Sequence, residues 1–333
     1  MARASIQQVA RHAGVSAMTV SRMLRGQKGL VSAKNQERIL AALRDLDYVP
    51  VRTAMQNRHV KTGVIGLAFD NIFSMKTYVG AHTFEGLREA AFARNYDLLL
   101  LHSRPESSLD EQKMQFLDRR CDGFVFVSPR DRGGVLECLV QHGFPTVSCY
   151  NMDVPAGIAW VESDNAAAIN QAVQTMQQAG HQDIAYISGP HSHSNSRQRC
   201  EAYCNAMHGA GLTPFWFEVR EIGDVERGAA VMLRRRPSAV VCHNDHWALI
   251  LWNMAREQGL QVPRDLSIIG VDDLPESAER GLTTFINPFE EIGHTAVESL
   301  LALLQGSEVE EHCRILPMKM VMRGSVAPPC SSP

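Results

Sequence analysis

The chain has 333 residues, 45% hydrophobic and 21% charged, with a formal net charge of −3; this balance is that of a folded globular protein and excludes collagen-like, disordered and coiled-coil chains. No apolar run approaches the roughly 20 residues of a membrane helix, and no signal-peptide core follows Met1-Ala2-Arg3-Ala4-Ser5, so the expected location is the cytoplasm. The eight cysteines are scattered without a Cys-x-x-Cys pair, which argues against a disulfide framework or a zinc finger.

The net charge conceals an asymmetry. Residues 1–61 hold eleven Lys/Arg against Glu37, Asp45 and Asp47, a balance of +8, and the remainder carries −11. A basic head on an acidic body suits a polyanion-binding module joined to a second function, although a solvated basic face is the plainer reading. Ser5-Ile6-Gln7-Gln8 is a capping box, and Val9 and Ala10 give the short helix behind it an apolar face. Gly14 ends that helix, because glycine takes a left-handed turn at little cost. Ser16 caps a second helix over 17–24, in which Val20 and Leu24 point inward together. Gly26 and Gly29 break it, and Ser32 opens a third helix in which Ile39, Leu43 and Leu46 repeat at helical spacing. Three short helices with a tight turn between the first two describe a helix-turn-helix.

The run Val9-Ala10-Arg11-His12-Ala13-Gly14-Val15-Ser16-Ala17-Met18-Thr19-Val20-Ser21-Arg22 resembles the lactose-repressor/galactose-repressor family of bacterial transcription regulators, which carries V-A-x-x-A-G-V-S-x-x-T-V-S-R there. Val31-Ser32 and Tyr48-Val49-Pro50 also match, with one extra residue in the 26–30 loop. The resemblance implies that Ala17 and Met18 read bases in the major groove. Neither side chain can hydrogen-bond a base, so contact with thymine methyls is their expected part. Arg22, one turn on, can pair bidentately with guanine. Ser5, Ser16, Thr19 and Ser21 carry short hydroxyls suited to phosphates or, equally, to helix caps. The segment 48–57 resembles the family hinge, a helix that forms on DNA and drives a leucine into the minor groove. Asn57 stands at that leucine position, so either Met55 is the wedge or the kink is weaker. Arg52 and Arg58 are candidate groove or phosphate contacts.

From Gly63 the pattern changes to short β-rich runs, over 64–69, 98–101, 123–127, 146–149, 184–188, 239–242 and 266–271, alternating with helical stretches such as 84–94, 164–179, 197–209 and 246–258. Alternation of this kind implies parallel sheets with helices on both faces, in more units than one sheet accommodates. There is no dinucleotide fingerprint and no P-loop. Asp122-Gly123-Phe124, Asp164-Asn165, Ser188-Gly189-Pro190, Asn244-Asp245, the 267–273 run, Thr283-Thr284 and Arg323-Gly324-Ser325 extend the family resemblance along the chain. The implied fold is an N-terminal all-α helix-turn-helix head on an α/β body of two doubly wound parallel-sheet lobes, the periplasmic-binding-protein type I arrangement, with three crossovers. The implied domains are 1–48 for DNA, 49–62 as hinge and 63–333 for effector binding and dimerisation. Lobe 1 takes about 63–160 and 288–316, lobe 2 about 161–287 and 317–330.

Polar residues just after a strand face the cleft of such a fold. These are Asp70 and Asn71, Tyr150 and Asn151, Asn244 and Asp245, and Asp272 and Asp273, while Arg199 opens a helix after a strand. The resemblance makes Arg199, Asn244 and Asp272 the main polar effector ligands. Paired hydrogen bonds from such groups suit a sugar. Phe73, Trp247 and Phe289 supply either an apolar wall or core packing. The family's R-x-x-G-[FY] reads Arg199-Cys200-Glu201-Ala202-Tyr203 here, and Tyr150 stands where an Asp is common, which implies a ligand larger or more apolar than a simple hexose. The implied function is repression of transcription by a homodimer on a pseudo-palindromic operator, controlled by a carbohydrate effector, with no membrane, metal or cofactor. A purine effector stacked on Phe73 or Trp247, and a sugar-modifying enzyme with a DNA-binding head, are the alternatives. Neither His191-Ser192-His193 nor the 242–246 run has metal-ligand spacing, and no G-x-S-x-G is present. No leucine heptad follows Ser325, so a tetramerising tail is not expected.

Overall fold

The computed structural model describes residues 5–24, 27, 30–46, 61–69, 77–102, 108, 112, 115–129 and 134–330. Gly26, Gly29, Arg52, Met55, Asn57, Arg58, Asp70, Asn71 and Phe73 lie outside the described residues. The chain divides into two units, Met1–Thr62 and Gly63–Pro333.

The first unit holds α1 (Ile6–Ala13), α2 (Ala17–Leu24) and α3 (Ala33–Asp45). The capping box forms: Ser5 Oγ accepts from the Gln8 amide at 3.3 Å and Gln8 Oε1 from the Ser5 amide at 2.6 Å. Gly14 adopts φ +62°, and a Cβ there would meet the Arg38 guanidinium, so the turn between α1 and α2 requires glycine. Val9, Val20, Ile39 and Ala42 are wholly buried. The inward partner of Val20 is Met23, three residues on, while Leu24 is only partly buried. Both spacings flank Val20 on a 3.6-residue helix, and the packing against α1 and α3 selects the first.

In the second unit the chain runs β1 (Val64–Phe69), α4 (Tyr78–Ala93), β2 (Asp97–His102), β3 (Gly123–Val127), α5 (Val135–Gln141), β4 (Thr146–Cys149) and β5 (Ala159–Ser163). It continues with α6 (Asn165–Gln178), β6 (Ile184–Ser188), α7 (Ser194–Gly209), β7 (Phe215–Glu218), α8 (Val225–Arg235), β8 (Ala239–Cys242), α9 (Asp245–Glu257) and β9 (Ser267–Ile269). It closes with α10 (Pro275–Arg280), β10 (Thr284–Ile286), α11 (Phe289–Leu303), β11 (Arg314–Leu316) and β12 (Lys319–Val321). Two parallel sheets result, ordered β11-β5-β4-β3-β1-β2 and β7-β6-β8-β9, with an antiparallel ribbon of β10 and β12. Each sheet is covered on both faces by an apolar cluster. That is why β1 and β3 read as continuous apolar runs rather than as alternations.

The first sheet keeps the chain to Ser163, and Asp164 then caps α6 of the second lobe through its carboxylate, 2.9 Å from the Ala167 amide. The chain returns at Asn287–Phe289 and leaves again between β11 and β12, so the lobes are joined by three crossovers. α11 lies against α4 at glycine contacts: a Cβ on Gly86 would overlap the Glu290 carbonyl, and one on Gly293 the Thr83 carbonyl. This approach holds Phe289 and Glu290 beside Tyr78 and His82.

Candidate functional site

In the first unit, Ala17, Met18 and Arg22 lie on the exposed side of α2, opposite its buried Val20 and Met23, and Met18 is 65% exposed. Thr19 and Ser21 are half-buried. Ser16 Oγ accepts from the Thr19 amide at 3.1 Å and lies 2.8 Å from Thr19 Oγ1. Ser5 and Ser16 therefore both serve as caps. A capping hydroxyl accepts through a lone pair and keeps its proton, so it can still donate to a phosphate. His12 on α1 pairs with Asp45 on α3 at 3.1 Å, outside the surface that α2 presents.

In the second unit a polar cluster forms where the crossovers meet the carboxyl ends of the strands. Arg199 does not open its helix. α7 begins at Ser194, and Arg199 lies in its second turn, 5% exposed. Its Nε donates to Asn165 Oδ1 at 2.7 Å and its Nη1 to the His243 carbonyl at 2.5 Å. Asp272 follows β9 with φ +113° and Asp273 has φ +53°, conformations that cost non-glycine residues energy and concentrate at functional sites. Arg323 holds this loop, donating to Asp273 at 2.7 Å and to the Leu282 carbonyl at 2.9 Å. Asn287 Nδ2 donates to Asp272 Oδ1 at 3.2 Å, and Ser163 Oγ donates to Asn287 Oδ1 at 2.6 Å. Desolvation pushes the Asp272 carboxyl up to about 7, against Arg199, which pulls it down; Asp245 adds to the rise and the Asn287 hydrogen bond opposes it. Glu162 is likewise pushed up to about 7 by burial, against the Ser163 amide, the charge of Arg199 and a hydrogen bond from the Asn165 side chain.

The other expected residues separate by environment. Tyr150 is buried at φ +61°, its hydroxyl 2.6 Å from Thr83 Oγ1 and its ring against Phe289. Phe289 lines a pocket of about 390 Å³ together with Tyr78, Asp272, Asp273 and Asn287. Asn244 caps α9, its Oδ1 accepting from the Trp247 amide at 2.9 Å. Trp247 is 8% exposed and packs in the core of the second lobe. Asp245, expected at the cleft, turns inward: it is fully buried, accepts from Thr284 Oγ1 at 2.5 Å and the Leu274 amide at 2.9 Å, and burial raises its pKa. It ties α9 to the Asp272 loop. Asn151 donates to the Pro129 carbonyl at 2.8 Å.

Glu162, Ser163, Asn165 and Asn287 join the cluster without having been singled out as site residues. Asn287 directly follows β10, so the strand-end rule would have found it had that three-residue strand been recognised. Glu162 interrupts an apolar run before Asp164-Asn165, a charged residue in a buried strand that reads as a loop.

An exposed recognition helix on one unit and a polar cluster between two lobes on the other define a ligand-responsive DNA-binding regulator. A family model described as bacterial regulatory proteins, lacI family, matches residues 5–51, and one described as a periplasmic binding protein-like domain matches residues 173–326. The chain is 29% identical over 329 residues to the sucrose operon repressor of Pediococcus pentosaceus, covering 95% of this chain and 97% of that one. It is 29% identical over 347 residues to the ribose operon repressor of Escherichia coli K12, covering 97% and 99%. The lac repressor dimer bound to operator and the anti-inducer ONPF shares the fold, with a TM-score of 0.81 at 24% identity over 98% of this chain and 100% of that one. Residues 5–51 thus carry the domain of the lacI family of bacterial regulatory proteins, and the chain is similar to operon repressors along almost its whole length. No helix among the described residues is long and apolar enough to cross a membrane.

Proposed function

We propose that the protein is a cytoplasmic repressor that binds a pseudo-palindromic operator as a homodimer, its operator affinity set by a sugar or sugar derivative held, without turnover, between the lobes. Residues 1–48 bind DNA, 49–62 link, and 63–333 bind effector and dimerise. Ala17, Met18 and Arg22 contact bases, Ser5, Ser16, Thr19 and Ser21 contact phosphates, and Arg52, Met55 and Asn57 engage the minor groove. In the cleft, Arg199, Asn244 and Asp272 hold the effector's hydroxyls, with Asp70, Asn71, Phe73, Tyr150 and Phe289 around it. The observation that carries this reading is that Arg199, through its charge, and the crossover residue Asn287, through a hydrogen bond, act from separate elements on Asp272. A ligand bridging these groups favours one lobe-to-lobe angle, and whatever differs in DNA affinity between the angles becomes ligand-dependent. The core position of Trp247 withdraws one stacking platform from a purine, which favours the sugar.

The test is a thermal-shift screen of sugars followed by calorimetric titration of the binder into wild type and Asp272→Asn. The variant exchanges an acceptor for a donor and strands a polar group. The expected loss is about 1–3 kcal/mol, one to two decades in affinity. Unchanged affinity would remove Asp272 from the site.

A further inference from the structure

A second cavity, of about 460 Å³, opens on the second lobe between α7 and β7, the edge strand of its sheet, and among the described residues it shares no lining with the pocket at the cleft. One wall is aromatic. Phe215 and Phe217 pack with α8 in the core of the lobe, so strand alternation turns Trp216 to the other face, toward α7. Its indole is 40% exposed and lies 5.0 Å from the His191 ring, centroid to centroid. A broad ring left in water at the mouth of a cavity gains when an apolar surface covers it.

The facing wall is polar. Arg197, Glu201 and Asn205 stand four residues apart on α7 and line the cavity together, a stripe about 12 Å long. They offer in turn donors only, acceptors only, and both. Arg197 is held in place: its Nη1 donates to the His191 carbonyl at 2.5 Å, and its Nη2 pairs with Asp153. The charge of the guanidinium is thus already met, and Glu201 is itself a carboxylate, so the wall supplies hydrogen bonds without surplus positive charge for an acid or a phosphate. A neutral sugar matches both walls. The C–H face of its ring covers an indole, and the hydroxyls at its rim both donate and accept.

The cavity also touches the joint between the lobes. Asp153 belongs to the loop after β4 in the first lobe, where the Met152 amide donates to Ser194 Oγ at 3.2 Å. α7 therefore reaches the other lobe through Ser194 and Arg197, and acts on Asp272 at the cleft through the charge of Arg199. We propose that this cavity is a second carbohydrate site, which stacks a neutral sugar ring on Trp216 and hydrogen-bonds it through Arg197, Glu201 and Asn205, and that its occupancy favours the lobe arrangement in which Arg197 meets Asp153. The site goes beyond the reading of the cleft and does not depend on it. A ligand that favours one lobe arrangement changes every affinity that differs between arrangements, operator affinity included.

The experiment uses the full chain. Glucose, ribose, sucrose and cellobiose, with glucose 6-phosphate and adenosine beside them, are titrated calorimetrically into wild type, Asp272→Asn, Trp216→Ala and Glu201→Gln. The expected result is a neutral sugar whose binding survives Asp272→Asn and is weakened ten-fold or more, about 1.4 kcal/mol, by Trp216→Ala and by Glu201→Gln. Both exchanges are at exposed residues and the second keeps the shape of the wall, so cooperative melting confirms that the variants fold. In the Asp272→Asn protein this sugar should change operator affinity by about five-fold or more, and adding Asp153→Ala, which leaves the cavity lining intact, should remove that change. Sugar binding that is indifferent to Trp216→Ala or to Glu201→Gln overturns the second site. So does glucose 6-phosphate or adenosine bound there more tightly than any neutral sugar, and so does a panel in which no sugar binds the Asp272→Asn protein. Operator affinity that ignores the bound sugar, or still responds to it in Asp153→Ala, overturns the link to the lobes.

Discussion

Arg22 is an exposed cation on α2, one turn beyond Met18, and it is the one side chain of that helix able to pair bidentately with guanine O6 and N7. Arg22→Ala should cost about 1–3 kcal/mol at one base position and relax specificity there. Met18→Ala should cost less, and mostly at a thymine. Equal weakening of all sequences in a competition assay would make Arg22 a phosphate contact instead. Buried in β5, Glu162 makes stability depend on pH. Burial raises its carboxyl from 4.5 to about 7, so the folded chain holds this proton more tightly than the unfolded one. The contribution to stability is greatest below pH 4.5 and is lost as pH rises through 7, an effect on the order of 3 kcal/mol. Without ligand, Glu162→Gln should therefore melt above wild type at pH 8, with the gain shrinking toward pH 5. A gain that stayed constant across that range would show that Glu162 does not titrate there.

The packing of α11 on α4 is the element that sets one wall of the cleft. The Gly293 contact brings α11 against the Thr83 carbonyl, and Thr83 in turn holds the Tyr150 hydroxyl. Gly293→Ala forces the helices apart or strains them. It should destabilise the body by about 1–3 kcal/mol, read from the denaturant midpoint, and should also weaken effector binding because Phe289 and Asn287 move with α11. Full stability in that variant would mean that the helix contact is slack. The C-terminal segment plays a similar part in the second lobe. Ser325 Oγ donates to the Ile268 carbonyl at 2.6 Å and accepts from the Thr283 amide at 2.8 Å, while His181 bridges Ser238, Ser267 and the Ala327 carbonyl. The Arg323-Gly324-Ser325 landmark is thus a clamp on β9 and the Asp272 loop.

For the whole molecule, the two units divide the charge as well as the contacts: +8 resides in residues 1–61 and −11 in the rest. Removal of residues 1–60 should abolish operator binding and leave a body that still melts cooperatively and still binds the effector. In the full chain, operator affinity should fall steeply between about 50 and 200 mM salt, because each phosphate contact releases counterions. Specific operator binding by the truncated body, measured by fluorescence anisotropy, would contradict this division.

The sequence alone determined what local chemistry controls. The Ser5 capping box, the Gly14 turn and the strands at Val64–Phe69, Gly123–Val127, Thr146–Cys149, Ile184–Ser188 and Ala239–Cys242 are where their residues placed them, because a cap, a left-handed turn and a doubly buried parallel strand each carry a short-range signature. The tertiary structure decided what depends on partners distant in sequence. β5 carries Glu162 and Ser163 among buried residues, and β10 and β11 span three residues each; such strands exist only because a neighbour supplies their hydrogen bonds. The same holds at the cleft. Asp245 and Asp272 both follow a strand and look alike in sequence. Thr284 and the Leu274 amide turn the first into an internal strut, while Asn287 donates to the second at the pocket wall and the charge of Arg199 acts on it. A carboxylate's role follows from the donors that folding brings to it, and those donors lie up to 39 residues away along the chain.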